Sequence, residues 1–447
     1  MDCGKQLPGR SSGGGPGLCR RNRVQYRGSV LLIPRFRVSG NERETIRSLY
    51  VHAPFCARRC SYCDFAVEAL ADPPVEEWLR AIEGEIRLVS LERGWDGPLE
   101  LDTLYVGGGT PSLLGTGAMR EMLRRLEPYA RLRPGAEWTC EANPESFTSA
   151  LAEDWRAAGI NRLSLGAQTF HAPSLRWMGR IHGADGPERA LRFAREAGFD
   201  DVSLDLIFGL PERLQRDWAA DLERIVELAP EHVSLYGLTA EAGAPLGRWV
   251  SSGREEIADE DRYAEEFLLA HRVLTGAGFE HYEVSNFGRP DKHSRHNFAY
   301  WTGAPYAALG PGAHAWFPPE RRWNLRSWYA YRDAVAAGRS PLEGRETVDE
   351  ETAGLEHVWL GLRTRTGVSL SGLVPEAVQL LERAAANGLA TIRDGVVRLT
   401  AEGWLVLDEL AVSLSKYMGP GRVSAPPDPF DVRSGIVQIG ANPVNNG

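Results

Sequence analysis

Between Ser48 and Gly278, short apolar segments rich in β-branched residues alternate with longer segments of helical periodicity. Six such pairs can be counted, from SLYVHA with VEEWLRAIEGEIRLVSLE to HVSLYGLT with DEDRYAEEFLLAHRVLTGAG. Strands that alternate with helices of about ten or more residues indicate βαβ units and a parallel sheet. Because six units are too few for a closed eight-stranded barrel, the pattern predicts an α/β fold built on a partly open six-unit barrel.

The loop after the first predicted strand contains three of the six cysteines, Cys56, Cys60 and Cys63, in the spacing CxxxCxxC. Thiolates are soft ligands, so three on one loop can bind the same metal centre. Zinc is one alternative, but a structural zinc site takes four ligands and no second Cys/His pair follows at finger spacing. A disulfide is another, but three cysteines pair unevenly and no secretory signal is present. The spacing therefore favours an iron–sulfur cluster with one iron open to a small molecule.

This motif, with Tyr62 directly before the third cysteine, resembles that of the radical S-adenosylmethionine (SAM) superfamily. The surrounding sequence YVHAPFCARRCSYCDF is similar to the branch that holds oxygen-independent coproporphyrinogen III oxidase and the heme chaperone HemW. The resemblance extends from about Tyr50 to the C-terminal helical region. It implies a partial (β/α)6 barrel and a [4Fe–4S] cluster whose open iron is chelated by the amino and carboxylate groups of SAM.

Polar residues cluster at the predicted carboxyl ends of the strands, where parallel βα folds place their chemistry. Glu141 and Asp205 interrupt apolar strands, which is costly unless each carboxylate has a partner. Cys140 faces away from Glu141 by strand alternation and is predicted to lie in the core. Taken alone, Arg180 fits an ordinary salt bridge. The resemblance implies that the SAM contacts are Tyr50, Tyr62, Gly108, Gly109, Thr110, Glu141, Gln168, Arg180, Asp205, Gly237 and Trp316.

After Gly278, GFEHYEVSNFG predicts one further strand, and the segments HNFAYW and GPGAH follow. Imidazole is a common ligand of heme iron and flat aromatic rings suit a porphyrin face, although a packed corner has the same composition. HNxxYW resembles a pattern of the heme-chaperone branch, and this resemblance implies that His296 is a heme ligand.

The residue two positions after the third cysteine, Phe65, bears on the function. In the coproporphyrinogen oxidase the motif continues with a further cysteine, so Phe65 and HNFAYW favour a heme chaperone without catalytic residues. Such a protein would bind heme and pass it to acceptor proteins. The alternative is the oxidase of porphyrin biosynthesis, which decarboxylates coproporphyrinogen III with a 5′-deoxyadenosyl radical. A radical SAM enzyme with an unrelated substrate is a third alternative.

Composition changes along the chain predict its domain organisation. Helix, helix, hairpin and helix in the last unit are winged-helix-like, but this unit is not strongly basic and is expected to pack on the barrel. The basic leader contains a Gly-Pro cluster that argues against a transit peptide. The predicted parts are a disordered leader (1–44), a radical SAM core (45–280), a barrel-completing segment with HNxxYW (281–344), the winged-helix-like unit (345–416) and a disordered tail (417–447).

The overall composition restricts the class of partner. A formal net charge of −9 over 447 residues argues against a general nucleic-acid binder. No apolar run is long enough to span a bilayer, and few, clustered cysteines suit a reducing cytoplasm. The expected partners are heme and heme-accepting proteins; peripheral membrane contact and a homodimer are left open.

Overall fold

The computed structural model describes residues 45–418; the predicted leader and all but the first residues of the predicted tail lie outside them. The strands are β1 (Ser48–Ala53), β2 (Phe55–Cys56), β3 (Glu68–Ala69), β4 (Leu99–Gly108), β5 (Ala130–Ala142), β6 (Arg162–Gln168), β7 (Val202–Phe208), β8 (His232–Gly237), β9 (Glu280–Glu283), β10 (Asn286–Gly288), β11 (Tyr306–Leu309), β12 (His314–Phe317), β13 (Glu320–Asn324), β14 (Leu342–Thr347), β15 (Val368–Ser369), β16 (Ala390–Arg393) and β17 (Val396–Leu399).

The α-helices with complete bounds are α1 (Val75–Arg93), α2 (Ala118–Leu126), α3 (Ser149–Ala158), α4 (Ala172–Met178), α5 (Gly186–Glu196), α6 (Trp218–Leu228), α7 (Pro245–Ser251), α8 (Glu260–Gly276), α9 (Arg295–Trp301), α10 (Trp328–Ala336), α11 (Glu350–Leu362), α12 (Pro375–Ala386), α13 (Ala401–Leu405) and α14 (Leu407–Met418). Several begin at the polar residues expected at helix starts. The side chains of Thr148, Asp217, Asp259 and Ser294 each accept a hydrogen bond from a backbone N–H in the first turn.

The six predicted strand–helix units are confirmed, and the structure adds a seventh parallel strand. The order in the main sheet is β14-β13-β12-β11-β1-β4-β5-β6-β7-β8-β10-β9, and the run from β11 to β8 is parallel. The four residues of β11 have no apolar period that would distinguish them from the aromatic segment around them. Because the order of the described strands is linear, the barrel is open, as predicted.

The prediction of one strand for GFEHYEVSNFG was wrong. The segment forms the antiparallel pair β9 and β10, with a turn between Glu283 and Asn286. The Glu283 carboxylate accepts hydrogen bonds from the backbone N–H of Ser285 and from the side-chain amide of Asn286. These local bonds hold the turn, which a hydrophobic pattern alone does not reveal.

One continuous apolar core joins the sheet to its helices. Trp78, Trp138, Trp155 and Trp328 are among its fully buried side chains. Cys140 is also fully buried, and its thiol lies 3.9 Å from the sulfur of Met119. The prediction that Cys140 belongs to the core is therefore confirmed.

The C-terminal unit contains the predicted hairpin of β16 and β17, with Asp394 and Gly395 at positive φ (53° and 71°) in the turn. The predicted final helix is interrupted at Val406, which leaves the helical backbone conformation (φ −113°, ψ 17°) between α13 and α14. Backbone hydrogen bonds from Val284 to Arg363 and from Arg365 to Tyr282 attach the unit to the barrel. Within residues 45–418 no helix has the length and apolar character needed to cross a membrane.

Candidate functional site

A cavity lies at the carboxyl ends of the parallel strands and extends into the barrel. Its wall is formed by the cysteine loop after β1 (residues 56–63), the glycine loop at the end of β4 (residues 107–110) and the ends of β5 to β8. The predicted site residues that line it are Tyr50, Cys56, Cys60, Tyr62, Cys63, Gly108, Gly109, Thr110, Glu141, Gln168, Arg180, Asp205, Gly237 and His296. The tertiary structure thus brings residues that are far apart in the sequence to one place.

The cysteine loop is held in position by backbone hydrogen bonds on two sides. The N–H of Ser61 donates to the carbonyl of Met178 (3.0 Å), and the carbonyl of Ser61 accepts from the N–H of Leu246 (2.8 Å). Burial raises the pKa of the Cys56 thiol to about 11 and that of Cys63 to about 12. The three thiols face the cavity as free cysteines.

The glycine loop packs tightly against β1. A Cβ atom on Gly108, whose φ is +107°, would lie 2.3 Å from the His52 ring, and one on Gly109 would lie 2.7 Å from the carbonyl oxygen of Phe55. The resemblance implied that these glycines contact SAM, which requires close approach of the ligand to the backbone. The structure adds a second reason, because the neighbouring strand itself leaves no room for a side chain.

Both predicted carboxylates have the partners that their burial requires. The Tyr105 hydroxyl (2.8 Å) and the Gly108 N–H (3.0 Å) donate hydrogen bonds to Glu141. Ser164 and Ser203 donate to Asp205 at 2.8 and 3.0 Å. Burial still raises the pKa of Glu141 to about 7 and raises that of Asp205 as well. The two groups therefore favour a cationic ligand that restores their charge.

Arg180 is more than the lone salt-bridge residue that its sequence context suggests. Its guanidinium donates to the side-chain oxygen of Asn143 (2.6 Å) and to the carbonyl of Gly166 (2.9 Å), and lies 3.9 Å from the Cys60 sulfur. A carboxylate oxygen of Glu145, 4.0 Å from this guanidinium, is buried without a hydrogen-bond partner. This oxygen is a candidate to accept a hydrogen bond from a ligand in the cavity.

The sequence interpretation missed Tyr105, Asn143 and Glu145, all of which line the cavity. Strand alternation contained the signal for one of them. Asn143 and Glu141 are two positions apart at the end of β5, so both side chains project to the same side. Tyr105 lies opposite Tyr50 in the register of β4 and β1, which alternation along one strand does not predict.

His296 lies at the opposite end of the barrel from the cysteine loop. Its Nδ1 is 2.7 Å from the hydroxyl of Thr103, which bonds to Ser48 at the first position of β1. Its Nε2 is 2.7 Å from the hydroxyl of Tyr300, and the side chain is 1% exposed. Burial lowers the pKa of His296 to about 3. Both ring nitrogens are engaged, so ligation of a heme iron requires that one of these bonds break. Heme ligation by His296 remains a prediction.

Trp316 does not lie with the other predicted SAM contacts. It belongs to β12, where its indole N–H donates to the carbonyl of Gly303 (3.2 Å) and its ring packs against Arg321. The cavity wall does not include it. Instead it packs against Tyr300, Trp301 and Tyr306, which form an apolar cluster distinct from the main core.

Comparison with known proteins identifies the family. The model of the radical SAM superfamily matches residues 50–225. The heme chaperone HemW of Mycobacterium tuberculosis is 36% identical over 372 residues, which cover 82% of this chain and 94% of that protein. The chain belongs to the HemW heme chaperone family. HemW of Escherichia coli K12 is also 36% identical, and the match covers 81% of this chain and 96% of the relative.

This chain shares its fold with a structurally characterised protein. The structure of coproporphyrinogen III oxidase (HemN) from E. coli superposes with a TM-score of 0.71, over 84% of this chain and 91% of that one. At 22% sequence identity this similarity establishes the fold. The predicted fold class of this protein is therefore confirmed.

Proposed function

We propose that this protein is a heme chaperone of the radical SAM type, which binds heme and transfers it to acceptor proteins. The observation that carries the proposal is the 36% identity to proteins named heme chaperones, along nearly their whole length. Phe65, in place of the further cysteine of the oxidase motif, supports the same function.

The cysteine loop fits a [4Fe–4S] cluster better than a single metal ion. Among residues 45–418, no three His, Cys, Asp or Glu side chains converge on a point where one ion could be held. A zinc ion needs such convergence, whereas each cysteine of a cubane cluster binds a different iron. We therefore propose that Cys56, Cys60 and Cys63 hold the cluster. When bound, the cluster supplies an electron-transfer centre with one iron open to SAM.

The charges of the cavity fit SAM, which carries a cationic sulfonium and a cationic amine. Glu141, Glu145 and Asp205 present carboxylates to the cavity, and the buried oxygen of Glu145 lacks a hydrogen-bond partner. Arg180, fixed by Asn143, is suited to bind the carboxylate of the ligand. We propose that these residues orient SAM, together with Tyr50, Tyr62, Gly108, Gly109, Thr110, Gln168 and Gly237.

Anaerobic assays of the reconstituted protein test the proposed function. We expect heme to bind in a defined stoichiometry, followed by transfer of the bound heme to an apo-hemoprotein. With SAM and a reductant, coproporphyrinogen III should remain unchanged. Absence of heme uptake, or formation of protoporphyrinogen in multiple turnovers, would refute the proposal. We propose that the protein itself acts in the cytoplasm, in keeping with the few, clustered cysteines of the chain.

A further inference from the structure

The cavity has a closed end and an open end. At the closed end, helix α9 is fixed by the carboxylate of Glu137, which accepts hydrogen bonds from the N–H groups of Arg295 and His296 (both 2.9 Å). The contact of His296 with Thr103 of β4 adds one further bond to the barrel, and its contact with Tyr300 lies within the helix. Helix α9 therefore closes this end of the cavity, and a ligand that displaced the helix would break these bonds.

Apolar side chains mark the open end. Phe65 is 39% exposed and Ile181 is 52% exposed, and both also line the cavity. Residues that line a cavity and are exposed form its rim. Large apolar side chains that are exposed at the rim of a cavity are candidates for contact with a ligand or partner. Val67, partly buried, continues the apolar wall below Phe65.

Two arginine side chains lie at the same rim. Arg58 and Arg59 are exposed on the tip of the cysteine loop and line the cavity. Within the described residues Arg58 makes no hydrogen bond or ion pair, and Arg59 makes one long bond, to the carbonyl of Cys63 (3.5 Å). Of the carboxylates nearby, Asp64 lies 3.7 Å from Arg326 and Glu145 lies 4.0 Å from Arg180. Glu241 also lines the cavity.

We propose that heme binds across this rim, with its apolar face against Phe65 and Ile181 and its two propionates on Arg58 and Arg59. The inference rests on the proposed function. A flat apolar dianion matches a rim that offers apolar side chains beside two guanidinium groups. Heme in this position covers the cysteine loop, and His296 serves to close the far end of the cavity instead of ligating iron.

Heme titrations of point variants, followed by absorbance on cluster-loaded protein, test the proposal. Ile181→Ser and Phe65→Ser should each weaken heme binding about tenfold, because each removes apolar contact area. Arg58→Ala/Arg59→Ala should weaken it to a similar extent and reduce its dependence on salt. Leu91→Ser is the matched control: Leu91 is 72% exposed on α1, outside the cavity wall, and its loss should leave heme affinity unchanged.

Iron content is measured for every variant, because Phe65 is close to Cys63; if Phe65→Ser loses the cluster, Ile181→Ser carries the test. Bound heme should also slow the removal of cluster iron by a soluble chelator. Unchanged affinity in the rim variants, with loss of heme binding in His296→Ala, would overturn this inference and leave the proposed function intact. Absence of heme binding by the unsubstituted protein would overturn both.

Discussion

At the scale of single residues, the cysteines differ in what surrounds them. Cys60 faces the cavity beside Arg180, whereas Cys140 is fully buried against Met119. We expect Cys60→Ala to abolish the brown colour of the reconstituted protein and Cys140→Ala to preserve it, since only the first thiol can reach a cluster. Iron content and visible absorbance measure the outcome. Full iron loading in a variant that lacks Cys56, Cys60 and Cys63 would contradict the cluster assignment.

The charge of the Glu141 carboxyl group affects both the free energy of unfolding and the proposed binding of SAM. Its pKa is raised to about 7 by burial, so the folded state holds the proton more tightly than the unfolded state. The free energy of unfolding therefore falls as pH rises from about 4.5 to about 7. In protein without cluster and SAM, Glu141→Gln should increase stability by about 1–2 kcal/mol at pH 8, after allowing for a weakened hydrogen bond, and by little at pH 5.

Denaturant unfolding of both proteins at the two pH values measures this difference. A gain that is equal at pH 5 and pH 8 would argue against titration of Glu141. In the reconstituted protein the same substitution should weaken the change that SAM causes in the EPR spectrum of the reduced cluster, because the carboxylate no longer attracts the cationic ligand. A wild-type response in the variant would exclude Glu141 as a SAM contact.

At the scale of elements, the glycine loop depends on its fit against β1. Gly108→Ala places a methyl group 2.3 Å from His52 at a φ of +107° and should destabilise the protein by about 2–4 kcal/mol. Gly117→Ala is the control, because Gly117 also has a positive φ (+82°) but nothing lies within 4 Å of its Cβ position. It should lose only about 1 kcal/mol. Equal losses in thermal unfolding would mean that backbone strain alone explains the effect.

At the scale of the whole molecule, a buried ion pair connects the barrel with the C-terminal unit. Arg363 lies 3.4 Å from Glu283, and these side chains are 3% and 0% exposed. Arg363→Leu leaves a buried carboxylate without its partner and should cost about 3–5 kcal/mol. Arg345→Leu removes a pair with Glu320 in which the arginine is 61% exposed, and Glu320 keeps its pair with Arg93, so stability should change by less than about 1 kcal/mol.

Thermal unfolding and limited proteolysis after residue 345 compare these two variants. Iron content should be the same in both, because no residue of the C-terminal unit, as far as it is described, lines the cavity. Loss of the cluster in Arg363→Leu, without loss of stability, would show that the ion pair acts on the site and not on the attachment of the unit.

Local sequence patterns were sufficient to predict the six strand–helix units, the open barrel and the position of the cysteine loop. These features depend on local information: the period of apolar residues, the N-cap side chains and the spacing of three thiols on one loop. Alternation along β5 even assigned Cys140 to the core and Glu141 to the other face. The family motifs then indicated which strand ends carry polar residues.

The tertiary structure establishes which distant segments meet, and local patterns did not predict these contacts. In the structure β11 pairs with β1, Trp316 lies outside the cavity wall and Arg180 donates a hydrogen bond to Asn143. The fold also encloses His296 between two hydroxyl partners, one of them 193 positions away along the chain. Such contacts depend on the packing of whole elements, and the residues flanking His296 in the sequence do not specify which atoms its ring nitrogens will meet. A motif therefore predicts that an imidazole is present, and the fold decides whether its nitrogens are free to bind iron.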